Sequence, residues 1–479
     1  MSNLQQSEVV YIEFIFDNGL TYEIDTEDSD NKSVISFTHD DSEALLAGNP
    51  IGVISSSNIS MTLYDITGVL NINNEDSPYY GYMRNGVQIN LRLSTGSAGA
   101  GPFGTYYVDN WNNTLSDTTG KLVEISAQDK LQYLGNKEIP NLPVYSGIRA
   151  DQLISNVLEA VGFKYGEYII DESLNMEIKY GITVGTKVRD FLNEICQVLL
   201  ARVNMDVNGI LRVTSAFGTS DTVWQLDDVD IQQVSFRHND SNIYNKVRVN
   251  YRQPGEGTLS QLIEISGIDL NPGLNEFKGL KFNNKSLGID QIYIESPIKV
   301  ESRSDINDSI EIVYWNAYQG GMDISINNNS SVKIPKCNIV VEGTIIDGPN
   351  SISEADVEGA DIKIANVLEL YNENVQNAND ANIIASNLSN YIKSTNKIID
   401  IESGLTPYAV CGDQLQVNSP YTELNGVYKI ISTSTNFGLG VYTKQVTVVA
   451  LKDLRAAVWD DSLDWDDSLI WNDNAGFIE

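Results

Sequence analysis

The chain has 479 residues, 42% of them hydrophobic, with 65 Asp and Glu against 31 Lys and Arg for a formal charge of −34. That length and apolar content support about three or four folded domains with substantial cores. So acidic a surface repels phosphate and argues against specific DNA or RNA binding, although an acidic wall would let nucleic acid pass without sticking.

In chain order, Met1 to Gln6 has neither the basic region nor the apolar core of a signal peptide, and no apolar run approaches a membrane span. Val9 to Phe16, the turn signal Asp17-Asn18-Gly19 and Leu20 to Ile24 predict a hairpin. Further strands are expected at 60–64, 87–93, 104–108 and 121–127, separated by Gly-, Asn-, Ser- and Pro-rich loops, so 1–145 reads as a barrel- or sandwich-like β domain. A small α+β unit follows at 146–215. Leu153, Ile154, Val157, Leu158 and Val161 form one helical stripe, and Val188, Phe191, Leu192, Ile195 and Leu199 another, with Thr186 as the expected N-cap. Asn208-Gly209 between Val203–Val207 and Ile210–Val213 predicts a hairpin with a two-residue type I′ turn.

From 216 to 360 the pattern is that of an irregular β domain, with β-like runs at 310–315 and 339–346. Its strand 242–252 puts Lys246, Arg248 and Arg252 on one face, a basic stripe rare in this acidic chain. The stripe either meets acids on a neighbouring subunit or is an ordinary solvated face. Residues 361–455 read as an extended run, a helix over 379–393 and a closing barrel-like β domain, with Asn425-Gly426 marking a turn. The fold class expected is therefore mainly β with smaller α+β parts: two tube-like β domains, a helix-hairpin insertion and an irregular β domain.

The last segment, 456–479, is acidic and holds half of the six tryptophans at a spacing of six. A step of six turns a helix by about 600° and scatters the rings, whereas an extended chain aligns them. Trp459, Leu463, Trp465, Leu469 and Trp471 then share one face opposite Asp and Ser. Large rings without a core of their own call for a pocket, so the segment is expected to dock on a neighbouring subunit or partner; the alternative is a solvated acidic tail.

Motifs for chemistry are absent from this sequence. Cys196, Cys337 and Cys411 stand far apart without a Cys-x-x-Cys pair, which fits a reducing cytoplasm. The two histidines, His39 and His238, lie in no zinc spacing; His238 reads as a surface residue, and His39-Asp40-Asp41 lacks the further ligands a metal-dependent phosphohydrolase needs. No nucleophile elbow, phosphate loop or calcium loop is present, so no cofactor, metal or catalytic residue is expected. The aromatic run Pro78-Tyr79-Tyr80-Gly81-Tyr82 suits either barrel packing or a carbohydrate-binding platform.

Several stretches resemble the phage tail hub family, the baseplate hubs of contractile tails and the N-terminal regions of siphophage tail-associated proteins. They are Thr183-Val184-Gly185 with the helix and hairpin that follow, Asn242 to Val249, and Asn379 through Gly412-Asp413-Gln414-Leu415-Gln416-Val417 to Ile430. The likeness covers most of 1–455, and 254–360 matches least. It implies that each chain contributes two tube-like β-barrels to a trimeric ring that adapts the tail tube to the tip. The implied partners are copies of the chain, a tail tube or distal tail protein, and baseplate, tip or spike proteins, in a virion assembled in the host cytoplasm. Some relatives in that family carry a lysozyme or peptidase; roughly 24 residues remain after the last predicted strand, too few for one. The readings left are a non-enzymatic structural subunit, a virion-associated glycan hydrolase, and a peripheral receptor- or carbohydrate-binding β protein.

Overall fold

The computed structural model describes residues 9–26, 32–42, 54, 56–94, 100–116, 120–140, 142–143, 145–181, 183, 186–215, 222–238, 244–252, 259–283, 286–295, 309–345, 350–357, 366–394, 397–403, 408–438 and 441–450. The Trp-bearing segment lies outside the described residues.

Period-two alternation builds the first part of the molecule. The strands are β1 (Val9–Ile15), β2 (Thr21–Asp25), β3 (Lys32–Ser42), β4 (Asn58–Asp65), β5 (Gln88–Ser94), β6 (Gly101–Ser116) and β7 (Gly120–Asp129). They pair antiparallel in the order β3-β4-β7-β6-β5-β1-β2. Val10, Ile12 and Phe14 of β1 and Ile89, Leu91 and Leu93 of β5 fall on the buried face because alternate residues point the same way. Each such buried side chain contributes about 1.5–3 kcal/mol. Asp65 organises the loop after β4: its carboxylate accepts from the Thr67 hydroxyl (2.9 Å) and from the backbone N–H groups of Gly68 (2.9 Å), Val69 (3.2 Å) and Leu70 (2.7 Å). Helix α1 (Lys130–Gly135) follows β7, capped by the Asp129 carboxylate on the Gln132 N–H.

The helix-hairpin unit surrounds its own core. It contains β8 (Tyr145–Arg149), α2 (Ala150–Val161), β9 (Tyr168–Ile170), β10 (Glu177–Gly181), α3 (Val188–Leu199), β11 (Ala201–Met205) and β12 (Leu211–Ser215). The expected stripes bury Leu153, Ile154, Val157 and Leu158 of α2 and Val188, Phe191, Leu192 and Ile195 of α3. Gly162, at φ +110°, takes the left-handed position that ends α2. The cap of α3 differs from expectation: Lys187 is the N-cap and, having no acceptor, makes no side-chain capping bond, while the Thr186 hydroxyl donates to the Thr183 carbonyl (2.6 Å). The hairpin forms, but not through a two-residue turn. Asp206 accepts from the N–H groups of Asn208 and Ile210 (2.9 Å each), which closes a longer loop with Gly209 alone at positive φ.

Residues 223–345 supply three groups of strands. β13 (Val223–Asp227) and β14 (Ile231–His238) join the large sheet. β15 (Lys246–Arg252) belongs to a separate three-stranded sheet. A β-sandwich follows, with β16 (Leu259–Leu270), β21 (Ile334–Ile345) and β18 (Ser286–Glu295) in one sheet and β17 (Gly273–Lys281), β20 (Gly321–Asn328) and β19 (Ile310–Tyr318) in the other. Between them lie Leu262, Met322, Ile324, Ile326, Cys337, Ile339 and Val341, all buried.

β22 (Asn350–Asp356) and β23 (Val367–Tyr371) flank β15, and α4 (Ala378–Ser394) covers that sheet with Ile384, Leu388, Tyr391 and Ile392. The last described strands are β24 (Lys397–Ser403), β25 (Gln414–Ser419), β26 (Leu424–Gly438) and β27 (Val441–Ala450). Asn425-Gly426 does not turn the chain. It lies within β26, and the reversal is made by Pro420 to Glu423, where Glu423 adopts φ +58°.

The mainly-β, multidomain class holds, but the two tube-like parts are continuous. β26 pairs antiparallel with β3, from Ser432 opposite Ser42 to Gly438 opposite Ser36. The first and last β regions therefore form one 13-stranded sheet, ordered β14-β24-β27-β26-β3-β4-β7-β6-β5-β1-β2 with β25 and β13 branching from β26. Among the described residues no pairing joins β2 to β14 to close it into a barrel.

Candidate interaction surfaces

The seam between β3 and β26 is where apolar packing gives way to buried polar groups. Phe37 stacks on Phe437 (5.6 Å between centroids) and meets Phe103 edge-on (6.0 Å). Two residues further along β3, His39 lies edge-on to Phe103 and Tyr106. Asp41, Thr433, Thr435 and Lys444 are buried with it. Lys444 donates to the Ala409 carbonyl (2.5 Å) and sits 5.7 Å from the Phe103 ring. Asp413 accepts from the Trp224 indole N–H (2.9 Å) and the Val410 N–H (3.2 Å). Burial, then the Lys444 charge, lowers the pKa of His39 to about 3, so the ring is neutral at pH 7. Burial lowers Lys444 to about 8 against the opposing pull of Asp41, Cys411 and Asp413. Burial likewise raises Asp129 to about 7, although the Ser57 and Gln132 N–H groups hydrogen-bond its carboxylate.

The basic stripe forms as expected on one face of β15, and each of its three cations has a partner within the chain. Lys246 pairs with Glu354 (2.9 Å), Arg248 bridges Glu354 (2.8 Å) and Glu369 (2.6 Å), and Arg252 donates to Asn350 (3.1 Å). These acids lie on the flanking strands β22 and β23, brought alongside by the registers Arg248↔Glu354 and Arg248↔Glu369. The two cations hold the Glu354 carboxyl below its ordinary range.

A second feature had no counterpart in the sequence reading. The turn after β13 and the turn between β25 and β26 abut, because the Asp228 carboxylate accepts from the Ser419 hydroxyl and from the Tyr421 N–H (3.4 Å). Val229 and Tyr421 project from these turns and are 92% and 90% exposed. Behind them, the outer face of β13, β25 and β26 carries exposed Gln225, Gln416, Asn418 and Asn425, uncharged side chains in a chain one-fifth charged. Only the composition of Asp227-Asp228-Val229-Asp230, a turn run with one apolar residue, hints at the tip in sequence.

Of the aromatic run, Tyr79 is a packing residue: it stacks on Phe16 (4.5 Å), tilts against Tyr22 and donates to the Thr21 carbonyl (3.0 Å). Tyr80 and Tyr82 are exposed. All three cysteines are buried, and burial pushes the Cys196 thiol far up. Among the described residues no group of three or more His, Cys, Asp or Glu is disposed to hold a metal, and no helix is long and apolar enough to cross a membrane.

No protein-family model matches the chain, and no curated protein matches it in sequence. Its fold does have counterparts among tail proteins. It is similar to the 43 kDa tail protein of prophage MuSo2 from Shewanella oneidensis, at 12% identity and a TM-score of 0.51, over 93% of this chain and 99% of that one. It is also similar to the tail protein from Neisseria meningitidis MC58, at 9% identity and a TM-score of 0.50, over 94% and 99%. At these identities the likeness is one of fold, and at that level the resemblance read from the sequence holds.

Proposed function

We propose that this chain is a structural subunit of a phage tail tip or baseplate hub, forming a ring that joins the tail tube to the tip and lets the genome pass. The observation that carries the reading is the β3–β26 seam, which makes the first and last described β regions one continuous sheet, suited to serve as one segment of a ring wall. Likeness of fold to two tail proteins along nearly their whole length supports it. The charge of −34 suits a lining that phosphate does not stick to. On this reading the protein works by fitting against copies of itself, in a homotrimeric ring, and against tail tube or distal tail and baseplate, tip or spike proteins, and makes or breaks no covalent bond. Trp459, Leu463, Trp465, Leu469 and Trp471 are proposed to dock on such a neighbour, and the 246–252 stripe, balanced within its own sheet, is available to a subunit contact only as part of that paired surface. Sedimentation of the purified protein, followed by electron microscopy, tests the reading. Rings of defined mass are expected; a monomer at all concentrations that hydrolyses a glycan would overturn it.

A further inference from the structure

We infer that the tip carrying Val229 and Tyr421 is a docking knob for a different polypeptide, one that offers an apolar socket rimmed by Lys or Arg. The inference rests on this surface alone and does not need the tail reading. Val229 and Tyr421 are 92% and 90% exposed on two turns held together, so that one built tip offers two apolar anchors.

The tip is built rather than loose. Asp228 ties the two turns through Ser419 and Tyr421. Within the first turn the Asp227 N–H donates to the Asp230 carboxylate (2.9 Å) and the Asp230 N–H to the Asp227 carbonyl (3.0 Å). Within the second, Thr422 donates from its N–H (3.2 Å) and its hydroxyl (2.5 Å) to the Ser419 hydroxyl, and Ser419 itself is fully buried. Glu423 adopts φ +58°, a left-handed conformation unfavourable for a residue with a side chain, and so the turn keeps a shape its local sequence disfavours. A preformed tip loses little freedom on binding, the condition under which a few exposed anchors carry most of an interface's affinity.

Charge selects the occupant. Asp227, Asp228 and Asp230 flank Val229 in the first turn and Glu423 follows Tyr421 in the second, so the matching rim is cationic. A second copy fits poorly: the chain has twice as many acids as bases, and its clustered cations, Lys246 and Arg248, are engaged by Glu354 and Glu369. The chain's own C-terminal segment fits poorly as well, since 459–479 contains acids and no Lys or Arg. The face of β13, β25 and β26 that adjoins the tip carries uncharged Gln225, Gln416, Asn418 and Asn425, with Asp227 the charged residue at its tip end.

The test places a photoreactive benzoylphenylalanine at position 421 of the full-length chain, in the cells it comes from, and identifies the adduct by mass spectrometry. The polypeptide captured is then purified and titrated calorimetrically against the unmodified chain, a Val229→Ser/Tyr421→Ser variant and a Tyr165→Ser control, Tyr165 being 95% exposed elsewhere. The expected result is one heterologous polypeptide whose affinity falls about 30-fold in the double variant, holds in the control, and weakens as salt is raised. Because both side chains are exposed, the variant should melt with the parent, which separates lost binding from lost folding. An adduct to a second copy, to the chain's own C-terminal segment or to no single partner overturns the inference, and so does binding that ignores the double substitution.

Discussion

His39 and Asp129 respond to pH in opposite directions, and replacing one exposes the other. His39 is buried in the β3–β26 seam with a pKa of about 3 against an unfolded value of 6.5. A histidine depressed in this way stabilises the fold above pH 6.5, and that stability is lost as the pH falls toward 3, because the unfolded chain takes up the proton first. Asp129 is raised to about 7 from 3.8, so its contribution is present below pH 3.8 and lost as the pH rises through 7. Going from pH 7 to pH 5, linkage gives a loss of about 2 kcal/mol at His39 and a gain of about 2 kcal/mol at Asp129. The two nearly cancel, so together they should change the parent's global stability little over this interval. His39→Phe keeps a ring edge-on to Phe103 and Tyr106 and removes the proton site. Whatever its absolute cost in packing, the variant should gain about 2 kcal/mol relative to the parent between pH 7 and pH 5. Hydrogen exchange of the β3–β26 amides, corrected for intrinsic rates and followed at both pH values, reads that difference. A gap between variant and parent that stays constant with pH would refute the argument, since it would mean that His39 titrates alike in the folded and unfolded chain.

Three further outcomes are expected. Phe37→Ala empties a site 1% exposed between Phe103 and Phe437 and should cost about 3–5 kcal/mol, seen as a lowered thermal midpoint with β3–β26 amides exchanging first. Asp65→Ala leaves three backbone N–H groups of the 66–70 loop without their carboxylate and should cost on the order of 3 kcal/mol, with proteolysis at 66–86 as the readout. Deleting 458–479 should leave the unfolding transition in place but weaken assembly; equal incorporation into particles by the truncated chain would remove the docking role of the tryptophans.

Local patterns were legible because they depend on neighbours in sequence. The stripe from Leu153 to Leu158 and that from Val188 to Ile195 sit on one face of a helix wherever the helix packs, and the alternation in Val9–Ile15 buries one side of any sheet it joins. Local chemistry already failed where a second polar group competed. Thr186 turns to the Thr183 carbonyl instead of capping α3, Asp206 captures the Asn208 and Ile210 N–H groups and lengthens the hairpin loop, and Asn425-Gly426 runs on as strand because Pro420–Glu423 has already reversed the chain.

The sequence by itself determined the mainly-β character, the two amphipathic helices, the basic face of 246–252 and the acidic surface, since each is a property of spacing or composition. Tertiary structure alone decided that β3 would pair with β26 across nearly 400 residues, that His39 would be buried and neutral, that Glu354 would meet Arg248, and that Val229 and Tyr421 would share a tip. Strand pairing has no code in the order of residues: any alternating strand offers the same ladder of N–H and C=O groups, and the partner is chosen by which faces bury the most apolar surface together while the backbone groups they bury are paired.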